Sequence, residues 1–126
     1  MMMIGYRVLV ADDEPDIRNI LRRLFLSDGF CVCEAGNGLE AITQAERCDI
    51  NVIVMDITMP QMAGDEAVQR LRANPQFADT PILIITGNTN PASLTGLTSS
   101  HNTMLLTKPL NLKQVLTTVH QLVQSP

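Results

Sequence analysis

Val52-Ile53-Val54-Met55-Asp56-Ile57-Thr58-Met59-Pro60 is the stretch on which the fold turns. The unbroken apolar run from Val52 to Met55 ends on a lone carboxylate. A run this short and this apolar reads as a strand buried on both faces. Asp56 then stands where the strand stops, at the carboxyl edge of a sheet. In open α/β sheets ligands bind at that edge. Pro60 lacks an N–H and disfavours helix at Met59, so the chain turns before a helix can begin.

Working outward, apolar runs and helical patterns alternate. Arg7 to Ala11 reads as a first strand and runs into Asp12-Asp13-Glu14. Pro15 opens a helix capped by Asp13 or Glu14, with Ile17, Ile20, Leu21, Leu24 and Phe25 on one face. Asp28-Gly29 ends it, Gly29 supplying positive φ. Phe30 to Ala35 is a second strand, Gly36-Asn37-Gly38 its loop, and Leu39, Ala41, Ile42 and Ala45 a second helix. The strand ending at Asp56 is the third. A third helix runs from about Asp65 to Ala73, with Val68 and Leu71 inward, and Asn74-Pro75 closes it.

Pro81 to Thr86 is the fourth strand and Thr103 to Thr107 the fifth, ended by Lys108-Pro109. The intervening stretch is rich in Ser, Thr, Asn and Gly and supports only a short helix around 92–99. Leu112, Val115, Leu116, Val119 and Val123 mark a last helix. Five such alternations predict an α/β fold, a doubly wound parallel sheet with right-handed crossovers and helices on both faces.

The 126 residues fit one domain, 1–126, with a core from about 6 to 124. No apolar run approaches the ~20 residues that span a bilayer, and Met1 to Ile4 does not open a signal peptide, so no membrane association is expected. A formal charge of −4 with no long basic run argues against direct nucleic-acid binding. Cys31, Cys33 and Cys48 show no metal-ligand spacing. Cys31 and Cys33 share a strand face and read, with Cys48, as buried free thiols in a reducing cytoplasm. A redox pair is the less favoured reading.

The strand ends collect a particular chemistry. The first offers Asp12 and Asp13, the third Asp56, the fourth Thr86 and the fifth Lys108. Carboxylates packed together repel, and a hard divalent cation relieves that repulsion. Carboxylates are also nucleophiles in phosphoryl transfer. Such transfer is mostly positioning and charge neutralisation, for which an ammonium and a hydroxyl suffice alongside the metal.

The set Asp12-Asp13, Asp56 with Met59-Pro60 and Gly64, Thr86, and Lys108-Pro109 resembles the receiver domain of two-component response regulators, from about Tyr6 to Gln124. The resemblance implies a flavodoxin-like sheet of five parallel strands in the order 2-1-3-4-5. It implies that Asp56 is the phosphoacceptor and that Asp12, Asp13, Asp56 and the Thr58 backbone carbonyl hold Mg²⁺. It further implies that Thr86 is the switch hydroxyl and Lys108 the phosphate-binding lysine. The donor would be a histidine on a kinase or phosphotransfer domain. Phosphorylation would switch the surface of the fourth helix, fifth strand and fifth helix toward a protein target or a fused output domain. The module would be cytoplasmic and no enzyme beyond its own phosphorylation and autodephosphorylation. His101 and His120 match no donor motif. Nothing that reads as an output domain follows Gln124, so the chain reads as a stand-alone regulator or the front of a longer one.

The pattern departs from the family at one place. Many receivers carry Tyr or Phe three residues before the lysine; here the position is Leu105, and no aromatic residue follows Phe77. Leu105 has no ring to couple to Thr86, so the expected signal runs through the Asn88 to Asn102 segment. A receiver-like interaction module working without phosphorylation is the alternative. A phosphatase with an aspartyl intermediate is disfavoured, because Thr58 stands where such enzymes place a general acid.

Overall fold

In the computed structural model, which describes residues 3–57, 64–87 and 102–124, the chain builds one five-stranded sheet. The strands are β1 (Arg7–Ala11), β2 (Cys31–Ala35), β3 (Val52–Asp56), β4 (Ile82–Thr86) and β5 (Thr103–Thr107). All neighbouring pairs are parallel, in the order β2-β1-β3-β4-β5. Between the strands lie α1 (Pro15–Ser27), α2 (Gly38–Arg47) and α3 (Gly64–Ala73), then a 3₁₀ turn at Pro75–Phe77. A C-terminal helix follows at Leu112–Gln124. The predicted helix around 92–99, Thr58 with Met59-Pro60, Asn88 and His101 lie outside the described residues.

The strands alternate their side chains between two separate cores, as a pleat requires. Leu9, Ile53, Met55, Ile82 and Ile84 face Ala41, Ala45, Val68 and Leu71 of α2 and α3. Val8, Val10, Val54, Leu83 and Ile85 face Leu21 and Phe25 of α1 and Val115, Val119 and Leu122 of the C-terminal helix. β3 and β4 are buried along their whole length, which is why their sequences read as continuous apolar runs. The edge strands β2 and β5 are only partly buried and carry polar residues.

Several expectations shift by a residue or a face. Glu14 is the N-cap of α1 but makes no side-chain cap bond. Gly38 is already helical, because Asn37 caps α2 by accepting from the Glu40 amide. Ile20 is 43% exposed and Leu39 52% exposed; both fall at the rim of an apolar stripe wider than the core needs. Cys31 is exposed rather than buried, because β2 is an edge strand. Gly29 takes φ +96°, and a Cβ there would lie 3.2 Å from the Met3 and Ile4 backbone nitrogens. That close approach and the positive φ together select glycine.

Candidate functional site

Parallel strands of nearly equal length end at one edge, and their last residues converge there. Asp12 follows β1 directly, Asp56 closes β3, Thr86 closes β4 and Lys108 follows β5. Carboxylate oxygens of Asp12, Asp13 and Asp56 all lie within 4.8 Å of one another. Asp12 and Asp56 are buried, at 1% and 2% exposure, while Asp13 is exposed. The cluster is therefore a lipped cup, closed behind by the sheet and open through Asp13.

Lys108 enters from β5. Its Nζ donates to Asp56 Oδ2 at 2.8 Å, and its side chain is 30% exposed. The Lys108 amide donates to the Thr86 carbonyl at 2.8 Å, which fixes the lysine to the end of β4. Thr86 is fully buried and pairs with Thr107 in register. It stands one step beyond Ile85, the register partner of Asp56. The four expected side-chain positions, Asp12, Asp13, Asp56 and Lys108, thus form one site, with Thr86 beside it. Thr58 lies outside the described residues.

The electrostatics are those of an acid trap. Burial pushes the Asp12 carboxyl up from 3.8 to about 6. The Glu14 amide, which donates to Asp12 Oδ1 at 2.9 Å, opposes this, and Asp56 adds to it. Asp12 Oδ2 is buried with no hydrogen-bond partner among the described residues. An orphaned buried oxygen of that kind costs free energy unless something binds it. Lys108 is held above its ordinary 10.5, chiefly by its hydrogen bond to Asp56 and despite partial burial. Three acids face one ammonium. An all-carboxylate donor set with an unpartnered oxygen suits a hard divalent cation such as Mg²⁺.

Arg18, off the apolar face of α1, has a role that the sequence did not reveal. Its Nη1 donates to the Asp12 carbonyl at 2.7 Å and its Nε to Glu34 at 3.3 Å. It holds the end of β1 against β2 from one helical turn away. Arginine after a strand-end acid was the available signal, but it does not separate this buttress from an ordinary surface arginine. Leu105, the position expected to hold an aromatic ring, pairs with Ile84 and is half-buried against the core under α2 and α3. Beside the cup, Ile17, Ile20, Pro109, Leu110 and Leu112 line an open apolar groove of about 390 Å³, with Glu14 and Lys108 at its polar end.

Known proteins are similar to this chain in sequence and in fold. The family model described as "Response regulator receiver domain" matches residues 8–120. The transcriptional regulatory protein TrcR of Mycobacterium tuberculosis is 32% identical over 119 residues, 94% of this chain and 45% of that protein. The chain therefore spans under half the length of that relative. Among solved structures, the chemotaxis response regulator CheY4 of Vibrio cholerae superposes with a TM-score of 0.85 at 32% identity, covering 97% of this chain and 99% of that one. The response regulator TrrA of Thermotoga maritima, solved in complex with Mg²⁺–BeF, gives a TM-score of 0.80 at 26% identity over 93% and 98% of the two chains. Strand order, the strand-end acids and this match over nearly the whole chain lead to one conclusion: the protein belongs to the response regulator receiver domain family of two-component signalling.

Proposed function

We propose that Asp56 is the residue of this receiver that accepts a phosphoryl group, and that residues 1–126 act as one phosphorylation-controlled module. The observation that carries the proposal is the meeting of three carboxylates within 4.8 Å, with the Lys108 ammonium 2.8 Å from Asp56. Asp12, Asp13, Asp56 and the Thr58 carbonyl would hold Mg²⁺, a reading supported by the orphaned Asp12 Oδ2. Bound there, the ion neutralises charge on the donor phosphoryl group. One Asp56 oxygen attacks phosphorus, the bond to the donor nitrogen breaks, and a carboxylate–phosphate bond forms. Lys108 then leaves Asp56 for a phosphoryl oxygen, and the Thr86 hydroxyl donates to another.

The donor is a histidine phosphorylated on a kinase or phosphotransfer domain. The apolar groove beside Lys108, with Ile20 exposed on α1, gives a partner helix an apolar seat next to the acceptor. The new charge biases a surface that includes β5 and the C-terminal helix, toward a downstream protein or a fused output domain. Leu105 has no polar tip, so the change runs through the segment between Thr86 and Asn102 rather than through a ring flip. The compartment is the cytoplasm, a reading supported by three cysteines that are all free thiols. Among the described residues no helix is long and apolar enough to cross a membrane.

Beryllofluoride binding with Mg²⁺, followed by NMR chemical shifts, tests the proposal. Saturable shifts at the strand ends that vanish in Asp56→Ala support it. Wild-type spectra unmoved by Mg²⁺ and beryllofluoride would favour an interaction module that works without phosphorylation.

A further inference from the structure

A second reactive pair lies apart from the acid cup. Cys33 sits in the middle of the edge strand β2, half-buried against the core under α2. Cys48 is the C-cap of α2, its amide donating to the Gln44 carbonyl at 2.9 Å. The chain leaves β2, turns through Asn37 and returns along α2, which brings the two thiols to an Sγ–Sγ distance of 3.0 Å. The pair is held from both sides. Gln44 Nε2 on α2 donates to the Glu34 carbonyl on β2 at 3.1 Å, next to Cys33 in sequence. Ala41 and Ala45 bury the intervening helix face. Cys31, two residues upstream, is exposed and free. The sequence grouped Cys31 with Cys33 on one strand face; the fold pairs Cys33 with Cys48 instead.

We propose that Cys33 and Cys48 are a redox modification site that closes to a reversible intramolecular disulfide when the protein meets a peroxide. A disulfide bond of about 2.0 Å requires the two sulfurs to approach by about 1 Å, within the reach of side-chain rotation. Burial and the hydrogen bond to Cys48 push the Cys33 thiol up to about 11. One sulfur of the pair, as its thiolate, attacks one peroxide oxygen; an S–O bond forms, the O–O bond breaks, and hydroxide leaves to take up a proton as water. The partner sulfur then attacks the oxidised sulfur; the S–S bond forms, the S–O bond breaks, and the second hydroxide takes the partner's proton. Two thiols and one peroxide give one disulfide and two waters. The product ties the end of α2 to the edge strand, across a 15-residue separation.

The test is to treat the dilute, folded full chain with hydrogen peroxide, block remaining thiols with a maleimide, and map the products by mass spectrometry. The expected result is loss of two hydrogens, a single maleimide on Cys31, and a cross-linked peptide joining Cys33 to Cys48, all reversed by dithiothreitol. Cys31→Ser forms the same cross-link and takes no maleimide, and its oxidised form melts roughly 5 to 10 °C higher than its reduced form. Three maleimides after peroxide, or a cross-link that contains Cys31, would overturn the proposal.

Discussion

Lys108 reaches across an intervening strand to Asp56: its Nζ lies 2.8 Å from Asp56 Oδ2, although β4 separates the strands that carry the two residues. Two inter-strand steps are about 10 Å, so only a long side chain at a strand end can close the gap. Replacing Lys108 by Met keeps the stem and removes the charge. Phosphorylation of Lys108→Met by a small phosphodonor is expected to slow by roughly a hundredfold, with the circular dichroism spectrum unchanged. A rate within about threefold of wild type would remove Lys108 from the chemistry.

Asp12 makes metal-free stability depend on pH in an unusual direction. Its carboxyl is raised from 3.8 to about 6 in the fold, chiefly by burial. A raised pKa means that its contribution is fully present below about 3.8 and is lost as pH rises through about 6. Without divalent metal, Asp12→Asn should exceed wild type by about 2 to 3 kcal/mol at pH 7.5. The gap should close toward pH 4. Denaturant midpoints at the two pH values check this; a gap that is constant with pH contradicts it.

Divalent metal should reverse that deficit. Mg²⁺ at about a hundred times its dissociation constant stabilises the folded state by about 2.7 kcal/mol. The increase in melting temperature should disappear in Asp12→Asn and in Asp13→Asn, whose carboxylates share the cluster with Asp56. Equal stabilisation of wild type and both variants would place the metal elsewhere.

Arg72 is a structural counterpart to these residues. It leaves α3 and donates to the Phe77 carbonyl at 2.8 Å, the Ala78 carbonyl at 3.2 Å and Thr103 Oγ1 at 2.9 Å. One guanidinium thus ties the 3₁₀ turn to the start of β5. Burial holds the Arg72 guanidinium below its ordinary range, the mark of a charge taken from water to serve several acceptors. Arg72→Met should destabilise the fold by about 2 to 4 kcal/mol, read as a lower urea midpoint with an unchanged slope.

The sheet was legible because β3 and β4 are buried on both faces, and Val52 to Met55 and Ile82 to Ile85 hold nothing but apolar residues. The acids were legible because a lone carboxylate after such a run has one place to go. Edge and rim positions were less so: Ile20, Leu39 and Cys31 satisfy a helical or strand period yet face water, since periodicity gives a face but not where the neighbouring element stops. Arg18, Arg72 and the Cys33–Cys48 contact depend on tertiary proximity. Their partners, such as Thr103 and the Asp12 carbonyl, carry no pattern of their own in the sequence.

The most direct test of the central claim is mass spectrometry of the chain mixed with Mg²⁺ and acetyl phosphate, with the modified residue mapped. The account predicts one added phosphoryl group on Asp56, dependent on Mg²⁺ and absent in Asp56→Asn. A phosphoryl group mapped to another residue, or none at any Mg²⁺ concentration, would contradict it.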